Sequence, residues 1–132
     1  MMNDKGFMII DDDADDRMFL REALNGMLYY YVCLEANDGV EALKQLRKAK
    51  QLPDFIFLDV NMPRMDGRDC LRELKKDTTL ANIPVIMYST SFTEKSIAEF
   101  LTHGASGYLN KPMNISKLPE QILLAIKQSI PV

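Results

Sequence analysis

Apolar positions along the chain follow two rhythms that alternate. Short unbroken runs, Phe7-Met8-Ile9-Ile10, Phe55-Ile56-Phe57-Leu58 and Val85-Ile86-Met87-Tyr88, read as strands, and the central one, Phe55 to Leu58, as a strand buried on both faces, the pattern of a parallel sheet covered by helices. Between them the period lengthens. Leu20, Ala23, Leu24 and Met27 fall at helical spacing from Ala14 onward, with Arg17, Arg21 and Glu22 off that stripe. Asp13 suits the N-cap of this helix, and Asp15 and Asp16 in its first turn suit the helix dipole. Tyr30 to Ala36 is rich in strand formers and closes in Asn37-Asp38-Gly39. Val40, Leu43 and Leu46, with Ala42 beside them, mark a second helix that runs into a basic stretch and stops before Pro53. After the central strand, Cys70, Leu71 and Leu74 line a third helix beyond Gly67.

Residues 84–89 form a fourth strand, and a helix with Ile97, Ala98, Phe100 and Leu101 follows and stops at Gly104. Gly107-Tyr108-Leu109-Asn110 is a short fifth strand leading into Lys111-Pro112. The last helix carries Leu118, Ile122, Ala125 and Ile126, with Pro119 in its first turn, where a missing N–H is tolerated. Five βα units at a spacing of about 25 residues predict an α/β fold, a doubly wound parallel sheet with right-handed crossovers and helices on both faces.

A chain of 132 residues is expected to be one domain, spanning 1–132, with no output domain attached. The net charge of -3 argues against nucleic acid as the main partner, and no apolar run has the length of a membrane span. Cys33 and Cys70 have no metal-like spacing and are expected to behave as small hydrophobes in a reducing, cytoplasmic setting.

Candidate chemistry gathers where strands end, because open α/β sheets bind ligands at their carboxyl edge. The first strand ends in Asp11, Asp12 and Asp13, the third in Asp59, the fourth in Ser89 and Thr90, and the fifth in Lys111. In a strand order 2-1-3-4-5 these ends converge. One carboxylate is enough for a cap, so Asp11 and Asp12 are in excess. At about 6 Å and an effective dielectric of about 20, each pair of carboxylates repels by about 3 kcal/mol, so the cluster calls for a counter-charge. A hard divalent cation, Mg²⁺ in particular, fits oxygen ligands and leaves open positions for phosphate oxygens. Ser89 or Lys111 alone would pass for an ordinary strand-end hydroxyl or a solvated lysine. Together with the carboxylates and a cation they describe a phosphoryl-transfer site with Asp59 as nucleophile.

Four stretches, Ile9-Ile10-Asp11-Asp12-Asp13, residues 58–67, residues 84–89 and residues 104–112, resemble the receiver domain of two-component response regulators, in order and over essentially the whole chain. The resemblance implies a flavodoxin-like (CheY-like) fold. It implies that Asp59 accepts a phosphoryl group from a phosphohistidine on a sensor histidine kinase or a histidine phosphotransfer protein. It also implies that Asp11 and Asp12 hold Mg²⁺, Asp12 as the more direct ligand, with the backbone carbonyl of Asn61 completing the set. Ser89 matches the switch hydroxyl, Tyr108 the aromatic that reports the switch, and Lys111 the lysine that pairs with the phosphate. The Lys111-Pro112 bond matches one that is typically cis. A conformational shift over the fourth strand, its helix, the fifth strand and the last helix would carry the signal to a downstream protein, from a contact face on the helix of residues 93–102, the fifth strand and the last helix.

The sequence departs from the family at Thr90, where a small residue is usual, while Asn61 and Ser91 occupy positions that tune autodephosphorylation. His103 reads as a surface or cap residue. Rival readings fit less well, a flavodoxin among them, since no Ser/Thr-Gly-rich phosphate loop follows the first strand. A haloacid dehalogenase-type phosphatase wants Asp-x-Asp-x-Thr/Val after its first strand, and Asp11-Asp12-Asp13-Ala14-Asp15 lacks the Thr or Val. A pseudo-receiver scaffold would not need an intact set of Asp11, Asp12, Asp59, Ser89 and Lys111.

Overall fold

The computed structural model describes residues 4–129. Eleven elements follow one another: β1 (Lys5–Ile10), α1 (Ala14–Asn25), β2 (Tyr30–Ala36), α2 (Gly39–Lys48), β3 (Phe55–Asp59), α3 (Gly67–Lys76), β4 (Val85–Ser89), α4 (Glu94–Thr102), β5 (Gly107–Asn110), a 3₁₀ turn at Ile115–Lys117, and α5 (Leu118–Ser129). The strands pair in parallel in the order β2-β1-β3-β4-β5, as expected.

Side chains alternate across the sheet, and the alternation decides which helix each strand residue meets. Met8, Ile10, Ile56, Leu58, Val85 and Met87 pack with Ala42, Leu43 and Leu46 of α2, Cys70, Leu71 and Leu74 of α3, and Phe100 of α4. Their neighbours Phe7, Ile9, Phe55, Phe57, Ile86 and Tyr88 pack with Leu20 and Leu24 of α1 and Leu118, Ile122, Ala125 and Ile126 of α5. Phe7 anchors this second layer, stacked 5.2 Å from Phe55 and meeting Tyr30 edge-on at 5.1 Å. The sheet is therefore buried on both faces, which is why its strands read as continuous apolar runs.

Helix boundaries follow local chemistry. Asp13 caps α1 by accepting from the N–H groups of Asp15 and Asp16. Thr93 and Ser96 form a reciprocal capping box on α4. Gly104, at φ 103°, ends that helix in a conformation that other residues rarely adopt.

Three expectations need correction. Of the stripe read on α4, only Phe100 is buried; Ile97 is half-buried, and Ala98 and Leu101 face solvent. Four apolar positions in a five-residue stretch span more than one helix face, and only one of them turns inward. Cys70 is buried as a small hydrophobe, but Cys33 is exposed. The β1–β2 register jumps at that point, from Phe7 opposite Val32 to Met8 opposite Leu34, so Cys33 is the extra residue of a bulge. Finally, none of the described peptide bonds is cis, so Lys111-Pro112 is trans.

Candidate functional site

Register brings the strand ends level. Ile10 pairs with Leu58, Asp59 with Tyr88, and Ser89 with Asn110, so the residues that follow β1, β4 and β5 rim one crevice with Asp59 itself. Asp11 and Asp59 are buried there, at 1% and 5% exposure, whereas Asp12 points to solvent. One carboxylate oxygen from each of the three lies within 4.8 Å of the other two.

Lys111 reaches this cluster from the end of β5. Its backbone N–H donates to the Ser89 carbonyl at 2.8 Å, which seats the residue beside β4. Its ammonium lies 3.1 Å from Asp11 Oδ2, 3.2 Å from Asp59 Oδ1 and 2.8 Å from Asp16 Oδ2. The Tyr88 ring forms a further wall, 5.1 Å from the nitrogen.

The electrostatics follow from burial with too many like charges. Burial, and then the Asp11 charge, push the Asp59 carboxyl up to about 7, against the pull of Lys111. Asp11 is raised as well, by burial first, although the Asp13 N–H and Lys111 oppose the shift. Burial works against the Lys111 charge, but the Asp16 hydrogen bond and the charges of Asp11 and Asp59 outweigh it and raise the ammonium above its ordinary value.

A divalent cation fits this cluster. Asp11 Oδ1 accepts from the Asp13 N–H at 2.9 Å, but buried Oδ2 makes no hydrogen bond and faces only the Lys111 ammonium. A buried carboxylate oxygen that makes no hydrogen bond, beside two further carboxylates, is the donor set that a hard cation takes. Asn61 is exposed two residues past Asp59.

The other expected site residues stand at the rim. Ser89 is buried, and its hydroxyl donates to the Ser91 carbonyl at 3.3 Å and accepts from the Ser91 N–H at 3.2 Å. Thr90 is exposed beside it. Tyr108 is half-buried with its ring 5.4 Å from Phe92, which in turn meets Phe100 edge-on at 6.2 Å.

Several contributors escape sequence reasoning. Asp16 reads as a first-turn acid that satisfies the dipole, yet it makes the shortest contact to Lys111. Asp13 already caps α1, so Asp16, like Asp11 and Asp12, is a carboxylate beyond what the cap needs. Arg17 donates to the Asp11 carbonyl at 2.7 Å and so ties α1 to the site. Asp38, 4% exposed, caps α2 by accepting from the Glu41 N–H at 2.9 Å and binds Arg64 through Nε at 2.9 Å and through Nη2. Phe92 links the Ser89 loop to α4 and carries no motif at all.

The sequence matches the response regulator receiver domain family over residues 7–123. It is 36% identical over 132 residues to a protein-glutamate methylesterase/protein-glutamine glutaminase of Pyrococcus horikoshii, covering 95% of this chain and 34% of that protein. The chain thus spans about a third of that relative's length. Among solved structures, the phosphorylated cyanobacterial phytochrome response regulator RcpA superposes with a TM-score of 0.82 at 34% identity, covering 95% of this chain and 92% of that one. The Mn²⁺-bound response regulator Rcp1 superposes at 0.79 with 25% identity, covering 97% of both chains. With fold, strand-end chemistry and family match in agreement, the chain belongs to the response regulator receiver domains of two-component signalling systems.

Proposed function

We propose that this receiver domain takes a phosphoryl group onto Asp59 from a phosphohistidine of a sensor histidine kinase or histidine phosphotransfer protein. The observation that carries the reading is the juxtaposition of a buried acceptor carboxylate, two neighbouring carboxylates and one lysine at 3.2 Å from the acceptor. An Asp59 oxygen attacks phosphorus, the P–N bond breaks, and the imidazole leaves with the electron pair. Lys111 offers its donors to the phosphoryl oxygens, and the Ser89 hydroxyl is one side-chain rotation from leaving Ser91 to do the same. Asp11, Asp12 and Asp59, with the Asn61 carbonyl, would hold Mg²⁺. Bound there, the ion supplies positive charge against the developing charge on the phosphoryl oxygens. The similarity to a phosphorylated RcpA and to an Mn²⁺-bound Rcp1 supports both halves of this reading.

The chain would act as a signalling receiver, and its chemistry would be limited to gaining and losing its own phosphoryl group. Phosphorylation adds charge and acceptor oxygens that select the conformation in which Ser89 and Lys111 face Asp59. The change would travel through β4, α4, β5 and α5 to a downstream protein. Exposed Leu101 on α4 and Leu124 on α5 supply apolar surface on that face. Alanine at either position is expected to weaken partner binding, and unchanged binding would remove them from the contact.

The test of the acceptor is intact mass after incubation with Mg²⁺ and acetyl phosphate. One acid-stable, base-labile phosphoryl adduct is expected, absent without Mg²⁺ and absent in Asp59→Asn. An adduct that survives in Asp59→Asn would refute the assignment. Among the described residues no helix is long and apolar enough to cross a membrane.

A further inference from the structure

Lys111 is 12% exposed at the side chain and faces three carboxylates. An ammonium has three N–H donors; here one is hydrogen-bonded to Asp16, and Asp11 and Asp59 are ion-paired with the same nitrogen at 3.1 and 3.2 Å. Two of the three, Asp11 and Asp59, belong to the carboxylate triplet that fits a cation. Asp16 does not. It comes from α1, its oxygen accepts the Lys111 donor at 2.8 Å, and its helix is pinned by the Asp13 cap and by the Arg17 contact to the Asp11 carbonyl.

The consequence is an order of events for the lysine. A cation that claims Asp11 and Asp59 withdraws two of the ammonium's three partners. A flexible four-carbon side chain with no remaining partner would lose its aim, and ordering it again costs rotamer entropy. Asp16 is not among the carboxylates gathered within 4.8 Å of one another, so it would retain one donor. The other two donors are then free while the nitrogen stays where it is, about 3 Å from the acceptor oxygen.

Resting on the phosphoacceptor reading, we propose that Asp16 is a positioning residue for phosphoryl transfer. It tethers the Lys111 ammonium beside Asp59 and gives it a partner that does not depend on the two carboxylates a cation would take. Asp16 touches neither the acceptor nor the phosphoryl group, and it acts through the lysine alone. Its charge also offsets that of Lys111, so the site attracts a cation more strongly with Asp16 than without it.

Three readouts in Asp16→Ala, Asp16→Asn and the unaltered protein test this. The first is the ¹H–¹⁵N signal of the Lys111 ammonium, expected in slow exchange with solvent in the unaltered protein and lost in Asp16→Ala. The second is the Mg²⁺ dissociation constant by calorimetry, expected to rise several-fold in Asp16→Ala. The third is the initial rate of Asp59 phosphorylation by acetyl phosphate at saturating Mg²⁺, expected to fall about tenfold. Asp16→Asn keeps an acceptor and loses the charge, so it should fall between the two; being isosteric, it keeps the test open if the alanine variant does not fold. An unchanged ammonium signal and unchanged Mg²⁺ affinity would overturn the tether, even with a lowered melting temperature, because that is what a merely structural role gives. Faster phosphorylation in Asp16→Ala would also overturn it, by showing that Asp16 withholds the lysine. Failure of the unaltered protein to accept phosphate on Asp59 would refute the parent reading instead, and the ammonium and Mg²⁺ readouts would still decide the tether.

Discussion

Arg64, in the loop that follows Asp59, is clamped to Asp38 at the N-terminus of α2. Arg64 has φ 62° and sits at the centre of a three-residue turn in which the Met65 N–H donates to the Pro63 carbonyl at 2.7 Å. Its guanidinium meets the buried Asp38 carboxylate through two nitrogens. A side chain with a Cβ is strained in this left-handed region, and the clamp offsets the strain. The loop so held carries Asn61 and runs from Asp59 to the N-terminus of α3.

Arg64→Gly and Arg64→Ala separate the two effects. Both lose the ion pair, but glycine also loses the strain, so Arg64→Gly is expected to be more stable than Arg64→Ala by about 1 kcal/mol. Asp38→Ala removes both the α2 cap and the partner of Arg64, at a cost of about 1–2 kcal/mol. Urea unfolding midpoints check the order. Equal stability of the two Arg64 variants would mean that the turn carries no strain.

A close approach makes Gly67 the next position to alter. Its N–H donates to the Val60 carbonyl at 2.9 Å. A Cβ built there would collide with the Asp59 carbonyl oxygen and lie 2.8 Å from the Val60 Cα. Both are backbone atoms of the acceptor strand and its continuation, so neither can move aside without shifting Asp59. Gly67→Ala is expected to cost about 1–3 kcal/mol and to slow phosphorylation of Asp59. Circular dichroism melts and the acetyl phosphate assay read the two effects, and an alanine variant with unaltered rate would show that the acceptor is insulated from this contact.

These two positions illustrate what the sequence discloses. Asp66-Gly67 reads plainly as a turn, because the glycine and the capping aspartate are local signals, and Asp66 does accept from the Asp69 N–H at 3.0 Å. The five strands are equally legible, since a sheet buried on both faces needs uninterrupted apolar runs. Asp11, Asp12, Asp59, Ser89 and Lys111 are found because each ends or follows a strand. Arg64 is hidden, since an arginine in a left-handed turn has no sequence signature and its partner lies 26 residues away. Asp16 is hidden for a different reason: the helix dipole already accounts for an acid in that turn. Phe92 and the α4 stripe depend on how a short helix leans on the edge of the sheet, which periodicity does not encode.

The raised Asp59 carboxyl has a consequence for stability without metal. In the unfolded chain this group titrates near its ordinary value of 3.8, and in the fold it titrates at about 7. Between those values the folded state binds more protons than the unfolded state, so stability falls as pH rises. The stabilisation is fully present below pH 3.8 and is lost as pH rises through about 7. Asp59→Asn removes this dependence. In the presence of a chelator, the variant is expected to be more stable than the unaltered protein at pH 8 by about 1–3 kcal/mol, with the difference shrinking toward pH 5. Mg²⁺ should stabilise the unaltered protein more than the variant. Urea midpoints at both pH values are the measurement, and a difference that grows toward acid would contradict the assignment.

Ser89 offers the cleanest separation of stability from signalling. Its hydroxyl makes two long hydrogen bonds, both to Ser91, so Ser89→Ala is expected to change stability by less than about 1 kcal/mol. The same change removes the donor proposed to swing toward the phosphoryl group. Phe92 lies in the loop that this swing would displace, and its ring touches Tyr108 on one side and Phe100 on the other. Phe100 lies under the Arg68 guanidinium at 5.2 Å, and Arg68 pairs with Glu99 at 3.4 Å, so the aromatic row ends at the first turn of α3. Loading the unaltered protein with Mg²⁺ and beryllium fluoride should therefore perturb NMR shifts at Phe92, Tyr108, Phe100 and Arg68 as well as around Asp59. In Ser89→Ala the perturbation should stay around Asp59. Equal perturbation of the aromatic row in both proteins would show that the loop moves without the hydroxyl, and Ser89 would then have no part in transmitting the signal.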